Sequence, residues 1–404
     1  MLTPYPTALA QALDGLSLLG RERVPLERAV GRYLAEDLVA ATPLPPFSYS
    51  AMDGYALRAS DVPTAGTQLP VVGEAAAGHP SGALLPRTSC RIFTGGVLPE
   101  GADAVVIQEN TTRENDEIKV NAVPFAGQNV RTAGTDLGQG STALRTGTRL
   151  SPAALGLAAT LERTHLFVGR RPQVTILSTG DELRLPSSPG RPGSVVDSNS
   201  FVLAAIAQRA GADPRIAPLV LDVFEVTVRE LTRALRGTDL LITVGGASVG
   251  DRDLMREALE HLGAEVAFWG IRVKPGKPTA VATLGDKRIL VLPGNPGSAT
   301  LSSLIFGVPM LRRMQGAAGD VAPRRVKMRV LGGHERRPGR EEYLRAQLSV
   351  REGEMVATIG DNQSSGAVTS FAYAEALIAV PHDRARVKPG DMLDVIRLDE
   401  LWGG

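Results

Sequence analysis

The chain has 404 residues, 44 basic and 43 acidic side chains and a formal net charge of +1. It is too long for one compact core and carries no basic field that would recruit nucleic acid or an anionic membrane. Its 43% hydrophobic content is enough to fill roughly two to four domain cores, and the lone cysteine, Cys90, excludes an internal disulfide framework and fits a reducing compartment.

The five histidines (His79, His165, His261, His334 and His382) are scattered, with no zinc-site spacing. The N-terminal "MLTPYPTALAQAL" lacks a basic region ahead of its apolar residues, and no apolar run reaches spanning length. The expectation is a soluble, cytoplasmic protein whose partner is small or proteinaceous.

In chain order, "VPLERAVGRYLAEDLVA" places Leu26, Ala29, Val30, Tyr33 and Leu34 on one helical face behind Pro25, which predicts an amphipathic helix. From Ala41 to about Leu150 short apolar pieces alternate with Gly and Pro, the texture of a β-rich region. Ser151-Pro152 opens a helical run through Leu161. Strand-like "VTILST", "IAPLV", "LLITV" and "RILVLP" then alternate with helical patterns such as "SNSFVLAAIAQRAGA" and "DLMREALEHLG". This alternation predicts an α/β region with a mostly parallel sheet covered by helices, roughly 171–318. Beyond it, short strands and turns from "RRVKMRVLGG" onward predict a small β-barrel or sandwich.

In open α/β sheets ligands bind at the loops that leave the carboxyl ends of the strands. Gly180-Asp181-Glu182 follows the first run; two adjacent acids there suit Mg²⁺ or proton transfer, or else an acidic first turn of a helix. Asp222 follows "IAPLV", a position that also suits a helix N-cap.

After "LLITV" the stretch "GGASVGDRD" supports three readings. A P-loop needs Lys and Ser/Thr after Gly250, where Asp251 and Arg252 stand. A nucleophile elbow at Ser248 has a strand-turn-helix context and downstream histidines, but it lacks an upstream oxyanion motif and leaves Gly245, Gly246 and Asp253 without a role. The third reading is a glycine-rich anion loop followed by acids.

"PGNPGS", Pro293 to Ser298 with Gly294, Asn295 and Pro296 between, precedes a helical run and suits an anion cradle or a rigid turn capped by Ser298. Lys274 and Lys277 stand on the Pro/Gly frame "KPGKP", as two cations for a phosphate or another oxyanion, or as an exposed basic turn. Anion cradles, cations and three acids on one sheet edge together point to an anionic substrate and a divalent metal.

These motifs, with "PPFSYSAMDGYALR", "GEAAAGHP", "TGGVLPEGADAVVIQE" and "GQNVRTAGTDL", resemble the molybdopterin molybdenumtransferase family, called MoeA in bacteria and represented by the gephyrin E domain in animals. The resemblance covers nearly the whole chain. It implies four parts: a linking domain with long helices (1–40 plus 130–170), a β-rich domain (41–129), an α/β domain (171–318) and a C-terminal β-barrel domain (319–404). It also implies a homodimer, with the active site between the α/β domain of one subunit and the β-rich parts of the other.

The implied reaction is Mg²⁺-dependent insertion of molybdenum from molybdate into adenylylated molybdopterin, with release of AMP. A molybdopterin adenylyltransferase and apo-molybdoenzymes are the implied protein partners. Carried over to this chain, Glu182, Asp222 and Asp253 gather the Mg²⁺, and Asp53, Thr94 and Asp136 reach in from the β-rich region. Gly180, Gly245, Gly246, Ser248, Gly250 and the "PGNPGS" residues hold the nucleotide and pterin, and Lys274 and Lys277 bind anionic oxygens of the pterin phosphate or of molybdate. Arg345 and Ser365 take molybdate. After "PPF" the family often has Asp followed by Asn or Arg, where this chain has Ser48 and Tyr49; Gly270 stands where some members carry a lysine, with Arg272 the nearby cation.

Overall fold

The computed structural model describes residues 2–246 and 254–401. The chain folds into two compact units, one built from 1–36, 146–151 and 165–404 and the other from 37–145 and 152–164.

The first unit opens with helix α1 (Tyr5–Leu13) and strand β1 (Arg21–Pro25). The helix expected over 26–34 is absent. Pro25, instead of starting a helix, ends β1 opposite His165. Only Leu26–Arg28 form one 3₁₀ turn, and Gly31 then takes φ +76°, outside the helical region. Tyr33 and Leu34 bridge to Arg149 and Val168 as extended chain, and Val30, from the expected buried face, is exposed.

In the second unit, β2 (Gly54–Leu57), β3 (Gln68–Ala75), β4 (Ser89–Ile92), β5 (Ala104–Ile107), β6 (Thr111–Glu114) and β7 (Glu117–Val120) form one sheet in the order β5-β2-β4-β3-β7-β6. Alternation divides its side chains between two cores, with Tyr55, Leu57 and Val106 in one and Ala56, Cys90 and Val105 in the other. Gly54 is required at the crossing: a Cβ there would fall 2.0 Å from the Val106 carbonyl oxygen. Helix α2 (Pro152–Thr160) forms where Ser151-Pro152 predicts it.

The first unit resumes with β8 (His165–Gly169), antiparallel to β1. The α/β region then runs β9 (Gln173–Ser178), α3 (Asn199–Arg209), β10 (Asp213–Ile216), α4 (Phe224–Ala234), β11 (Leu240–Val244), α5 (Leu254–His261), β12 (Glu265–Trp269), β13 (Ala280–Leu284), β14 (Lys287–Leu292), α6 (Pro296–Ser302) and α7 (Val308–Met314), the last two joined by a π-helical segment. Sheet order is β10-β9-β11-β14-β13-β12. The first four strands are parallel, and β13 and β12 extend the sheet antiparallel. The strand expected at "IAPLV" lies earlier, at Asp213–Ile216; Pro218 has no N–H to donate, and Val220 makes only one bridge, to Thr179.

The C-terminal strands β15 (Val326–Leu331), β16 (Glu341–Arg351), β17 (Glu354–Ile359), β18 (Ala376–Val380) and β19 (Met392–Arg397) close into a barrel, because β16 pairs with both β17 and β18. A short helix, α8 (Val368–Ala372), precedes β18. Sheet and barrel share one apolar core. Tyr5 of α1 packs edge-on against Phe306 and Tyr343, with ring centroids 5.5 and 6.3 Å apart. Among the described residues no helix is long and apolar enough to cross a membrane.

Candidate active site

Past β9 the backbone turns at Gly180, whose φ of +153° is one that L side chains rarely adopt. The chain then enters a two-residue strand, Leu183–Arg184, so a helical first turn does not account for Asp181 and Glu182. Nor does Asp222 cap α4: the N-cap residue is Val223, and no side-chain cap bond forms. The Asp222 backbone N–H instead donates to Asp181 Oδ1 at 3.2 Å. Partial desolvation, followed by the charges of Asp181 and Glu182, pushes the Asp222 carboxyl above its usual range. Asp181 and Glu182 beside the partly desolvated Asp222 form a locus of negative potential suited to a cation. Among the described residues no three such groups are already arranged as a metal's ligands.

Gly245 and Gly246 leave β11 with φ +89° and +65°. A Cβ at Gly245 would lie 2.3 Å from the Thr179 carbonyl oxygen, so the loop passes over the end of β9 only as glycine. The Thr179 hydroxyl is buried beneath it with no hydrogen-bond partner among the described residues. Ser248, Gly250 and Asp253 lie outside the described residues. His261, one of the histidines an elbow would use, ends α5 edge-on to Phe224, and His334 sits 3.5 Å from Glu342.

At "PGNPGS", Asn295 is the N-cap residue of α6, Pro296 occupies its first turn, and Ser298 is a buried residue inside it instead of the cap. Asn199, which sequence reasoning overlooked, donates from Nδ2 to the Gly294 carbonyl at 2.7 Å and ties the loop to the start of α3. The Gly297 N–H donates to the Ser365 carbonyl at 2.8 Å. The "PGNPGS" turn and the loop before α8 are thus one structure.

That loop also holds Arg345. Its side chain is 2% exposed, so it is no surface decoration of β16. Nη2 donates to the Ser364 carbonyl at 3.2 Å, Nη1 to the Tyr343 carbonyl at 3.3 Å, and the guanidinium lies over the Phe371 ring. Nε has no partner among the described residues. Burial brings its pKa down to about 10, against a weaker opposing pull from Glu342. A buried guanidinium bonded only to neutral carbonyls, with a donor to spare, suits an anion.

Lys274 and Lys277 are half-buried on their Pro/Gly frame. The Lys277 carbonyl accepts from the Ile271 N–H at 2.8 Å. Lys274 Nζ lies 2.8 Å from Glu342 Oε1, a partner that sequence reasoning also overlooked.

In the second unit, Asp53 Oδ1 accepts from the Thr94 N–H at 2.7 Å and from its hydroxyl at 2.8 Å. Those bonds, backbone first, hold the exposed carboxyl below its ordinary range. Asp136 is exposed and anchored by its own N–H to the Leu44 carbonyl at 2.9 Å. Ser48 Oγ accepts from the Ala133 N–H at 3.1 Å, so a hydroxyl serves as acceptor at the position where the family often has Asp.

Comparison with known proteins gives three consecutive matches: the MoeA N-terminal region (domains I and II) over 3–161, a probable molybdopterin-binding domain over 175–313, and the MoeA C-terminal region (domain IV) over 329–398. The chain is 34% identical over 386 residues to a molybdopterin molybdenumtransferase of Nostoc sp., covering 93% of this chain and 88% of that one. It is 35% identical over 382 residues to molybdopterin molybdenumtransferase 2 of Mycobacterium tuberculosis, covering 92% and 94%. The crystal structure of the MoeA protein from Pyrococcus horikoshii superposes with a TM-score of 0.84 at 29% identity, covering 98% of this chain and 99% of that one.

Proposed function

Because this chain belongs to the molybdopterin molybdenumtransferase family, we propose that it inserts molybdenum from molybdate into adenylylated molybdopterin and releases AMP, as a Mg²⁺-dependent step of molybdenum cofactor biosynthesis. In this reading the protein is a cytoplasmic homodimer of four-part subunits. The α/β part of one subunit works with Asp53, Thr94 and Asp136 of the other. It receives the pterin from an adenylyltransferase and passes the product to apo-molybdoenzymes.

Two loops bind the substrate's anionic groups. Gly180, Gly245 and Gly246 let the backbone approach the nucleotide end closely, with Ser248 and Gly250 as further contacts. In the Pro293 to Ser298 turn the donors for the anion are the N–H groups of Gly294 and Asn295, since those of Gly297 and Ser298 are bonded to the Ser365 and Asn295 carbonyls. Glu182, Asp222 and Asp253 hold the Mg²⁺; Asp222 is partly desolvated and stands beside the Asp181 and Glu182 carboxylates, negative charge that a cation would offset. When bound, the cation offsets charge on the pyrophosphate as its P–O bond breaks. Lys274, Lys277, Arg345 and Ser365 hold the molybdate oxyanion.

The observation that supports this reading most directly is the Gly297–Ser365 hydrogen bond, which sets the loop carrying Arg345's carbonyl partners against the anion turn. The deciding assay supplies purified protein with adenylylated molybdopterin, molybdate and Mg²⁺. It follows AMP release and reconstitution of an apo-molybdoenzyme. Absence of AMP refutes the reaction, and a monomeric mass across a concentration series refutes the shared site.

A further inference from the structure

Along β16, Glu342 lies on the same face as Leu344 and Ala346, which line the barrel core, whereas Tyr343 and Arg345 face the other way. Lys274 pairs with Glu342 in parallel register, so its side chain leaves the backbone on Glu342's face and not on Arg345's. The ammonium completes the pairing at 2.8 Å.

The two partners differ in freedom. The Glu342 side chain is 4% exposed, and its other oxygen lies 2.9 Å from Arg336 Nε. Arg336 is itself clamped by the Pro381 carbonyl at 2.8 Å and by the carbonyls of Val380 and Arg340. Arg336 Nε and Glu342 Oε2 are close but not aligned as a hydrogen bond, so charge holds that contact. Lys274 is the mobile partner, with its side chain 43% exposed on a flexible stem. For its ammonium to serve an oxyanion on the Arg345 side of the strand it must leave Glu342, which cannot follow.

We propose that Glu342 is an internal anion that competes with the substrate oxyanion for Lys274, and so sets the affinity of the site for a tetrahedral oxyanion of the molybdate type. The inference rests on the reading that Lys274 holds that oxyanion. Glu342 is not a ligand here; it acts through Lys274, and neutralising it frees the ammonium. An ion pair with one half-exposed partner contributes little, so the effect is modest, about three- to fivefold.

The test is calorimetric titration of the full-length protein with molybdate alone. Glu342→Gln, which keeps the shape and an acceptor oxygen, is expected to lower the dissociation constant about three- to fivefold. Lys274→Met is expected to raise it, and Lys274→Met/Glu342→Gln to match Lys274→Met alone, since the competition has no object once the ammonium is gone. If Lys274→Met binds molybdate as wild type does, the oxyanion role of Lys274 fails and the competition with it. If Lys274→Met weakens binding while Glu342→Gln leaves it unchanged or weaker, only the competition is overturned. Should Glu342→Gln not fold because Arg336 is left uncompensated, Arg336→Met/Glu342→Gln removes both buried charges and carries the same expectation.

Discussion

Gly297→Ala tests whether the anion turn and the Arg345 loop act as a unit. A Cβ at position 297 would lie 2.9 Å from the Ser365 carbonyl oxygen and 3.5 Å from its carbon. Ordinary contact begins near 3.4 Å, so the loop must retreat by about 0.5 Å, stretching a 2.8 Å hydrogen bond to about 3.3 Å and weakening it. The weakened bond costs at most about 1 kcal/mol and the forced repacking about 1–3 kcal/mol. The stiffer unfolded chain returns about 0.4–1 kcal/mol, leaving a net loss of about 1–3 kcal/mol. Thermal unfolding should fall by a few degrees, and molybdate affinity should fall with it, because the displaced loop carries the Ser364 carbonyl that orients Arg345. Gly294→Ala is the stability control: its Cβ would meet only the Gly245 Cα, at 3.8 Å. A Gly297→Ala protein with wild-type melting temperature and wild-type molybdate affinity would refute the coupling.

Asp222→Asn should leave the metal-free protein at least as stable as wild type at neutral pH while weakening Mg²⁺ binding; a lower melting temperature without metal would contradict this. The sign follows from the raised carboxyl pKa, which makes the ionised form unfavourable in the fold, so wild type gains stability as pH falls through the folded value. Thr94→Val removes one of the two Thr94 donors that keep Asp53 ionised, so the acid limb of the pH–activity profile should move to higher pH; an unmoved limb would exclude Asp53 from catalysis. At the opposite end of the sheet, Asp239 accepts two bonds from Arg170 and one from the Gln173 N–H, which together hold its pKa down against burial. Asp239→Asn should cost about 2 kcal/mol, below the 3–5 of a fully buried pair because Arg170 is about one-third exposed. That contribution is present above the unfolded carboxyl value near 4 and disappears as pH falls through the lower folded one, which urea midpoints between about pH 2 and pH 7 would show.

The strands β9, β11 and β14 were legible because a parallel strand buried on both faces reads as a continuous apolar run. The periodicity at 26–34 misled because spacing alone does not register that Gly31 turns left-handed or that Pro25 belongs to a strand. At the site, the acids and glycines were visible as residue types at strand ends. Their surroundings were not: nothing in "GDEL" says that a strand, not a helix, follows Gly180. Arg345 could be named but not recognised as buried, since that depends on Phe371 and on a loop fifteen or more residues away. Glu342 left a trace that could have been used, an acid alternating with Leu344 and Ala346 on the apolar face of a strand.

The common core of sheet and barrel also bears on how the chain is made. Tyr5 leaves the ribosome more than 300 residues ahead of Tyr343, against which its ring packs, and further still ahead of the barrel residue Ile396 and of Leu398 of the same core. Until those residues emerge α1 has no complete seat, and its apolar face must wait for them. A ribosome stalled before about residue 340 would hold a nascent chain whose first helix remains open to protease, and arrest after the barrel strands emerge should close it.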